Sequence, residues 1–353
     1  MTSAADTQSH PRGWLFYICC LCAIALLTAC QGVPEVVKLE GQAMGTSWHV
    51  TVVPNAGVPD RAVLQAGIEE QLQRVVLSMS TYLPDSEISR FNALAPDTWL
   101  VVSEDFYRVL STALAVGWQS EGAYDVTVAP LVDLWGFGPA GPVTVPPADD
   151  LVTDILENVG QQYLRLEADD GYRVLKTRPV TLDFSSIAKG YAVDLVALWL
   201  QSRGVERFLV EVGGEMRLAG MSGRGDPWRV AIERPESAAR TAQRAISLTD
   251  TAVATSGDYR NYFEVDGQRF SHSIDPRRGY PVAHDLVSVT VVDSSAMRAD
   301  AWATALVVLG HERAMAVATE QGLAVYFIQR QGETLHSSHT PAFAPLLDSG
   351  ATD

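Results

Sequence analysis

The chain reads as an α+β fold, with mixed sheets and packed helices, and three observations carry that reading. Apolar residues recur at helical spacing in several long segments, and they alternate with polar residues in short runs between those segments. Strands also cluster before helices instead of alternating with them one for one, which argues against a doubly wound parallel sheet. With 353 residues, 47% hydrophobic and 19% charged, the chain can bury a core in one large or two medium domains without staples.

Taken in order, residues 1–29 are set apart from the fold. Trp14 to Ala29 is an uncharged apolar run after Arg12, short for a membrane span and the right length for a signal-peptide core. A tether over 30–40 leads to a folded domain over 41–335 and a polar tail over 336–353. Alternation predicts a strand at Trp48–Val53, and Pro54 and Pro59 mark the connection to an amphipathic helix at Ala62–Met79. A second helix spans Glu104–Ser120, and Gly122 stops it. From Asp133 to Asp150 the chain reads as loop, because Pro139, Pro142, Pro146 and Pro147 fall among Gly136, Gly138 and Gly141. Strands are expected at Tyr163–Leu166, Arg173–Leu175 and Thr181–Phe184, then a helix at Ile187–Leu200, then strands at Phe208–Val212 and Trp228–Ile232. The last third repeats the mixture. It has strands at Tyr262–Val265 and Val287–Val292, helices at Ala299–Leu309 and Glu312–Glu320, and a strand at Ala324–Gln329.

Charge and cysteine usage exclude several functions. Asp+Glu number 42 against Lys+Arg 26, a net charge of -16, and no run of basic residues offers a local positive face, so nucleic acid is excluded as a partner. Cys19, Cys20, Cys22 and Cys30 are all four of the cysteines, so the domain holds neither disulfide nor thiolate metal site. The apolar run ends in Leu27-Thr28-Ala29-Cys30, which resembles a bacterial lipobox, with small residues before the cut and a sulfur to acylate. That resemblance implies lipidation at Cys30 and a membrane-anchored domain on the periplasmic face, and the blander reading of the same run is a plain signal peptide or an uncleaved anchor. Gln31, in place of Asp, directs it to the inner leaflet of the outer membrane in a Gram-negative host.

Several motifs are weighed against blander readings. Gly136-Phe137-Gly138-Pro139-Ala140-Gly141 has the G-x-G-x-x-G pattern, but Pro139 and Pro142 remove two N–H donors and block the helix that a dinucleotide site needs. His311-Glu312 starts like a zinc-protease helix, but Met315 stands where the second histidine belongs. Ser186-Ile187-Ala188-Lys189 fits the S-x-x-K pattern of a Ser-Lys acyl enzyme, although the K-T-G and S-D-N companions are missing. The same serines fit a helix cap at Ser185 or Ser186. In context, Leu182 to Asp194 runs from strand to helix, with Lys189 and Gly190 in the first turn. Free N–H groups, one positive charge and a residue without a side chain read as a phosphate cradle. Asp300 and Thr304 lie four residues apart on one helical face, a spacing that suits a hard cation such as Mg²⁺ and equally suits a cap and a surface position.

Together these segments resemble the ApbE-like flavin transferases over about Gly41 to Phe327. The pieces are Gly41-Gln42-Ala43-Met44-Gly45-Thr46, Met79-Ser80-Thr81-Tyr82 with Ser86-Glu87-Ile88, and Tyr124-Asp125-Val126-Thr127 running through Pro130-Leu131 to Gly138. Leu182 to Asp194, Glu211-Val212-Gly213-Gly214-Glu215, Ser256-Gly257-Asp258-Tyr259, His272-Ser273-Ile274-Asp275-Pro276 and Ala299 to Thr304 complete the set.

The resemblance implies that fold and an enzyme that binds FAD and Mg²⁺, cleaves the pyrophosphate, joins FMN to a Thr or Ser of a partner protein and releases AMP. Its acceptors would be subunits of extracytoplasmic or membrane redox complexes. By motif position, Met44, Tyr82 and Ala123-Tyr124-Asp125 would hold the flavin nucleotide, with Tyr82 a stacking surface. Asp183, Lys189, Gly213, Gly214, His272, Ser273 and Ile274 would complete the FAD site, with Glu215 a structural or hydrogen-bonding neighbour. Asp300 and Thr304 would bind Mg²⁺ with backbone carbonyls of Ser186 and Ala303. Lys189 and the Asp300-bound metal would neutralise charge, and His272 would assist proton transfer or cap the turn before Asp275-Pro276. Asp348-Ser349-Gly350-Ala351-Thr352 resembles the acceptor sequence of flavinylated partners, which would make Thr352 a self-modification site or a tethered pseudosubstrate. Hydrolysis of FAD to FMN and AMP, and non-catalytic FAD binding, remain open beside the transferase.

Overall fold

A computed structural model describes residues 36–235, 242–257, 262–265 and 267–347. The leader, Cys30, Asp258, Tyr259 and Thr352 lie outside the described residues. An eight-stranded, wholly antiparallel sheet organises the domain, in the order β1-β2-β6-β7-β10-β15-β16-β17. These strands are β1 (Val37–Ala43), β2 (Thr46–Val52), β6 (Phe208–Val212), β7 (Glu215–Ala219), β10 (Thr251–Gly257), β15 (Leu286–Asp293), β16 (Ala324–Gln331) and β17 (Thr334–His339). Both faces of the sheet are buried. Along β16, Val325 and Phe327 point into one core, whereas Tyr326 and Ile328 point into another. This is the period-two alternation of a strand covered on both sides.

The larger core is roofed by helices α1 (Arg61–Met79), α3 (Glu104–Gln119), α6 (Ala188–Ser202), α7 (Ala296–Leu309) and α8 (His311–Glu320). Gly67 on α1 lets Trp199 of α6 approach, since a Cβ there would lie 1.8 Å from the indole. The opposite face is covered by the hairpin of β8 (Trp228–Glu233) and β9 (Ala242–Leu248), with Trp228, Val230, Ile246 and Phe343 buried beneath it. The remaining elements are α2 (Glu87–Ala93) and a three-stranded sheet of β3 (Leu100–Val101), β5 (Arg173–Lys176) and β4 (Leu164–Glu167).

A third, smaller core sits apart from these two. It joins α4 (Ala129–Leu134), α5 (Asp149–Leu156), the hairpin of β11 (Tyr262–Val265) and β12 (Gln268–Ser271), and the short pair β13 (Ile274–Asp275) and β14 (Tyr280–Pro281). Phe263 stacks on Phe270 at 5.1 Å and Phe270 on Trp135 at 5.5 Å, and the Trp135 indole N–H donates to the Gly279 carbonyl at 2.8 Å.

Four expectations are corrected. Thr181–Phe184 is extended but forms no strand: only a bridge joins Val128 to Thr181, and the Asn92 side chain takes the partner's place, accepting from Leu182 N at 2.7 Å and donating to Leu182 O at 3.0 Å. The expected loop from Asp133 contains the end of α4 and the start of α5. Helix α6 starts without a side-chain cap, because Ser186 turns its hydroxyl to Tyr124 instead. The folded domain also runs past 335: β17 pairs with β16, Phe343 is fully buried and Leu347 bridges Ile246. A polar edge strand with one solvated side reads as tail from sequence alone.

Candidate active site

A cavity of about 460 Å³ opens where the main core meets the smaller one. The main body contributes Tyr82, Ala123, Tyr124, Asp125, Asp183 and Ser186, and deeper in the wall Lys189, Gly213, Glu215, Asp300 and Thr304. The smaller core contributes Val128, Val132, Phe137, His272, Ser273 and Ile274. Three expected site residues are not on this wall. Met44 occupies the β1–β2 turn at φ +53 beside Gly45 at φ +73, the conformation of a two-residue hairpin turn, and packs against the main core. Gly214 follows Gly213 in the β6–β7 turn, and Ala303 is fully buried within α7.

Helix α7 is placed by a carboxylate from a neighbouring helix. Asp194, on α6 and 6% exposed, accepts from Ser295 Oγ at 2.7 Å, from the backbone N–H groups of Ala296 and Met297 at 3.0 Å each, and from Arg217 at 2.7 Å. It thereby caps the helix start, where unpaired N–H groups favour a negative charge. One turn on, Asp300 Oδ2 accepts from Gly190 N at 3.0 Å. Gly190 has no room for a side chain: a Cβ would lie 2.3 Å from the Ala296 carbonyl and 2.8 Å from Asp300 Cβ. Asp300 Oδ1 makes no hydrogen bond among the described residues, and Thr304 Oγ1 lies 3.1 Å from Ser256 Oγ.

Lys189 reaches the cavity from the first turn of α6 and donates to Glu215 Oε1 at 2.6 Å. Burial opposes its charge, but Asp300 and Glu215 together outweigh burial and hold its pKa above the usual lysine value. Burial pushes Glu215 up to about 7, with Lys189 opposing and Asp300 adding to the rise, and burial likewise raises Asp300. The other oxygen of Glu215, Oε2, is buried without a hydrogen-bond partner. One lysine stands against two buried carboxylates, Glu215 Oε2 is buried without a partner, and Asp300 Oδ1 makes no hydrogen bond to the described residues. A hard divalent cation fits that donor set, since Mg²⁺ takes few protein oxygens and keeps waters or phosphate oxygens. Among the described residues there is no group of three or more His, Cys, Asp or Glu that could hold a metal alone, so any cation here needs hydroxyl, carbonyl or substrate oxygens as well.

The remaining residues shape the cavity. Tyr82 is 73% exposed at its edge, an aromatic face open to a planar ligand. Tyr124 is buried, accepts from Ser186 Oγ at 3.0 Å and is kept a neutral phenol by burial. Asp125 spends its carboxylate on the chain, accepting from Thr127 N, Thr127 Oγ1 and Gln161 N at 2.8, 2.7 and 2.9 Å. Asp183 accepts from Ser185 N at 2.7 Å, and burial raises its pKa. The ring of His272 packs edge-on to Phe137 at 6.3 Å. Asp275 is drawn off by the Arg277 guanidinium at 2.8 Å, which leaves it shaping the turn. Ser186 and Lys189 do not meet: their hydrogen bonds go to Tyr124 and Glu215, and a lysine held in its charged form is no base for an acyl enzyme.

Sequence reasoning gave Asp194 no role and took Glu215 only as a neighbour. A signal for Asp194 was present, a lone carboxylate inside the apolar stretch Tyr191 to Val196. Ser256, also on the wall, gave none beyond its motif, and its neighbour Thr255 gave none at all.

Comparison with known proteins places this geometry. A model of the ApbE family matches residues 44–327. The chain is 43% identical over 337 residues to an FAD:protein FMN transferase of Vibrio cholerae, covering 95% of this chain and 99% of the relative. A solved flavin transferase ApbE from Vibrio cholerae has a TM-score of 0.83 at 42% identity, over 89% of this chain and 99% of that one. The apo form of the Pseudomonas stutzeri flavinyl transferase ApbE has 0.82 at 40% identity, over 90% and 98%. The family match runs from the hairpin turn at Met44 to β16 and takes in every wall of the cavity; this chain belongs to the ApbE family.

Proposed function

We propose that this enzyme is a flavin transferase that moves FMN from FAD onto a Thr or Ser hydroxyl of a partner protein through a phosphoester bond, releasing AMP. The observation that carries the reading is one cavity that unites the Asp300–Thr304 pair, Lys189 and His272 below the exposed Tyr82. The relatives named above support it by their activity.

In this reading Tyr82 stacks on the flavin, and Gly213, without a side chain, admits the nucleotide closely. The pyrophosphate lies against the start of α6, where Lys189 supplies the one Lys or Arg charge among the described lining residues. Among the described lining residues that lysine stands with four carboxylates, Asp125, Asp183, Glu215 and Asp300, so an anionic substrate needs further positive charge. Asp300 and Thr304, with the backbone carbonyls of Ser186 and Ala303, would hold Mg²⁺, which when bound supplies Lewis-acid polarisation of the phosphoryl oxygens. The acceptor hydroxyl oxygen bonds to the FMN phosphorus while the bond from that phosphorus to the bridging oxygen breaks, and the bridging oxygen leaves with AMP. His272 takes the hydroxyl proton. Water in place of the hydroxyl would give free FMN and AMP.

The acceptors are, in the same reading, flavin-accepting subunits of extracytoplasmic or membrane redox complexes, met by an enzyme lipidated at Cys30 on the periplasmic face of a bacterial membrane, the outer membrane in a Gram-negative host. The test follows AMP and flavin together after the full chain is incubated with FAD, Mg²⁺ and a Thr-containing acceptor. AMP matched by acceptor-bound FMN, both lost in EDTA, is expected. AMP matched by free FMN would make the enzyme a hydrolase, and neither product would leave a flavin binder.

A further inference from the structure

Lys189 stands between two carboxylates. Its ammonium is paired with Glu215 at 2.6 Å, whereas no ion pair joins it to Asp300 among the described residues, although Asp300 is near enough to favour its charged form. A lysine in that position is an intramolecular cation that competes with any metal for Asp300. Resting on the reading that Asp300 binds Mg²⁺, we propose that Glu215 is a positioning residue that holds the Lys189 ammonium to itself and so keeps the Asp300 carboxylate open to the divalent cation.

Local structure supports this division of labour. Glu215 opens β7 immediately after the Gly213–Gly214 turn, where the backbone sits at φ +64 and +111. The Lys189 stem passes Gly213 closely, since a Cβ there would lie 3.1 Å from Lys189 Cδ. Glycine thus gives the lysine a path to Glu215 that a side chain would obstruct. Glu215 is 4% exposed and, among the described residues, the one hydrogen bond its carboxylate accepts from another side chain is that from Lys189, so the carboxylate is not drawn off by a second cation. Asp300 is steadied separately by the Gly190 N–H on Oδ2, which leaves Oδ1 available. Removing Glu215 frees a buried ammonium whose nearest remaining counter-charge is Asp300. The lysine then occupies the oxygen the metal requires.

A double-mutant cycle read by Mn²⁺ binding separates this from a simple charge effect, because Mn²⁺ takes the same carboxylate, carbonyl and water oxygens as Mg²⁺. The full chain is titrated with Mn²⁺ and free ion is followed by electron paramagnetic resonance, with thermal melting to verify folding. Glu215→Leu is expected to weaken binding by about tenfold or more, and Lys189→Met alone to change it by less than about threefold; adding Lys189→Met to Glu215→Leu brings it back to within about threefold of wild type, a coupling far outside additivity. Glu215→Gln, whose amide oxygen still accepts from Lys189, is expected to lose much less than Glu215→Leu. If the leucine variant does not fold, Glu215→Ala carries the same cycle. The proposal is overturned if Lys189→Met tightens binding by the same factor with and without Glu215, or if Gln and Leu at 215 weaken it equally, since charge alone then accounts for both. Asp300→Ala distinguishes the two levels. Undiminished Mn²⁺ binding in that variant removes the metal reading and the inference with it, whereas lost binding together with an additive cycle removes the inference alone.

Discussion

Glu215 sits in an environment far from what its residue type prefers. Its carboxyl is pushed up to about 7 by burial, so the folded protein retains a proton that the unfolded chain releases near its ordinary value of 4.5. This group therefore favours folding below about 4.5, and that contribution is lost as pH rises from there to about 7. Glutamine has no such loss. Melting temperatures of the metal-free protein and of Glu215→Gln are expected to move in favour of the variant between pH 5 and pH 8, and a constant gap would refute the assignment. Much of the site was legible at this scale because motifs fix residue types: Tyr82, Lys189, His272, Asp300 and Thr304 all reach the cavity wall. The pairing of Lys189 with Glu215 was not legible. It joins residues 26 positions apart through a turn whose glycines have no periodicity to read.

Among the elements, the α6–α7 crossing decides whether Lys189 and Asp300 share a cavity. Two contacts set it, the Asp194 carboxylate on the start of α7 and the missing side chain at Gly190. Asp194→Ala leaves Arg217 and the helix N–H groups without their partner, and is expected to cost about 3 kcal/mol or more in urea unfolding. Gly190→Ala drives a methyl group into the Ala296 carbonyl, a backbone atom that cannot step aside, at a cost of about 1–3 kcal/mol. Because Asp300 moves with its helix, both variants should also need more Mg²⁺ for half-maximal turnover, measured at a temperature where they remain folded. Wild-type stability in either one would show that the crossing is set elsewhere. The main helices and half of the main-sheet strands, β2, β6, β15 and β16, were readable from their periodicity. The unread elements have physical reasons: β1 is an edge strand built from Lys38, Glu40, Gly41 and Gln42 among few apolar residues, α4 starts at Ala129-Pro130, and β10 faces its cores with Ala252, Val253 and Ala254, too small a contrast to stand out.

For the whole molecule, the chemistry depends on two hydrophobic units meeting. Lys189, Asp300 and Thr304 stand on helices of the main core, and His272 follows the hairpin of the smaller one. Residues from Thr81 to Val308 converge on one cavity in a chain with a net charge of -16. An acidic surface gives a pyrophosphate no general attraction, so in the proposed reading binding comes from the cavity itself, from the one described lysine, a helix start and a cation held beside Asp300. The central claim is that this cavity moves FMN to a protein hydroxyl, and intact-mass spectrometry of the acceptor tests it most directly. After incubation with the full chain, FAD and Mg²⁺, the acceptor should gain the mass of one FMN less water, at a Thr or Ser found by peptide mapping, with no gain for Asp300→Ala. An unmodified acceptor alongside stoichiometric AMP and free FMN, or an adduct that Asp300→Ala forms equally well, would contradict the account.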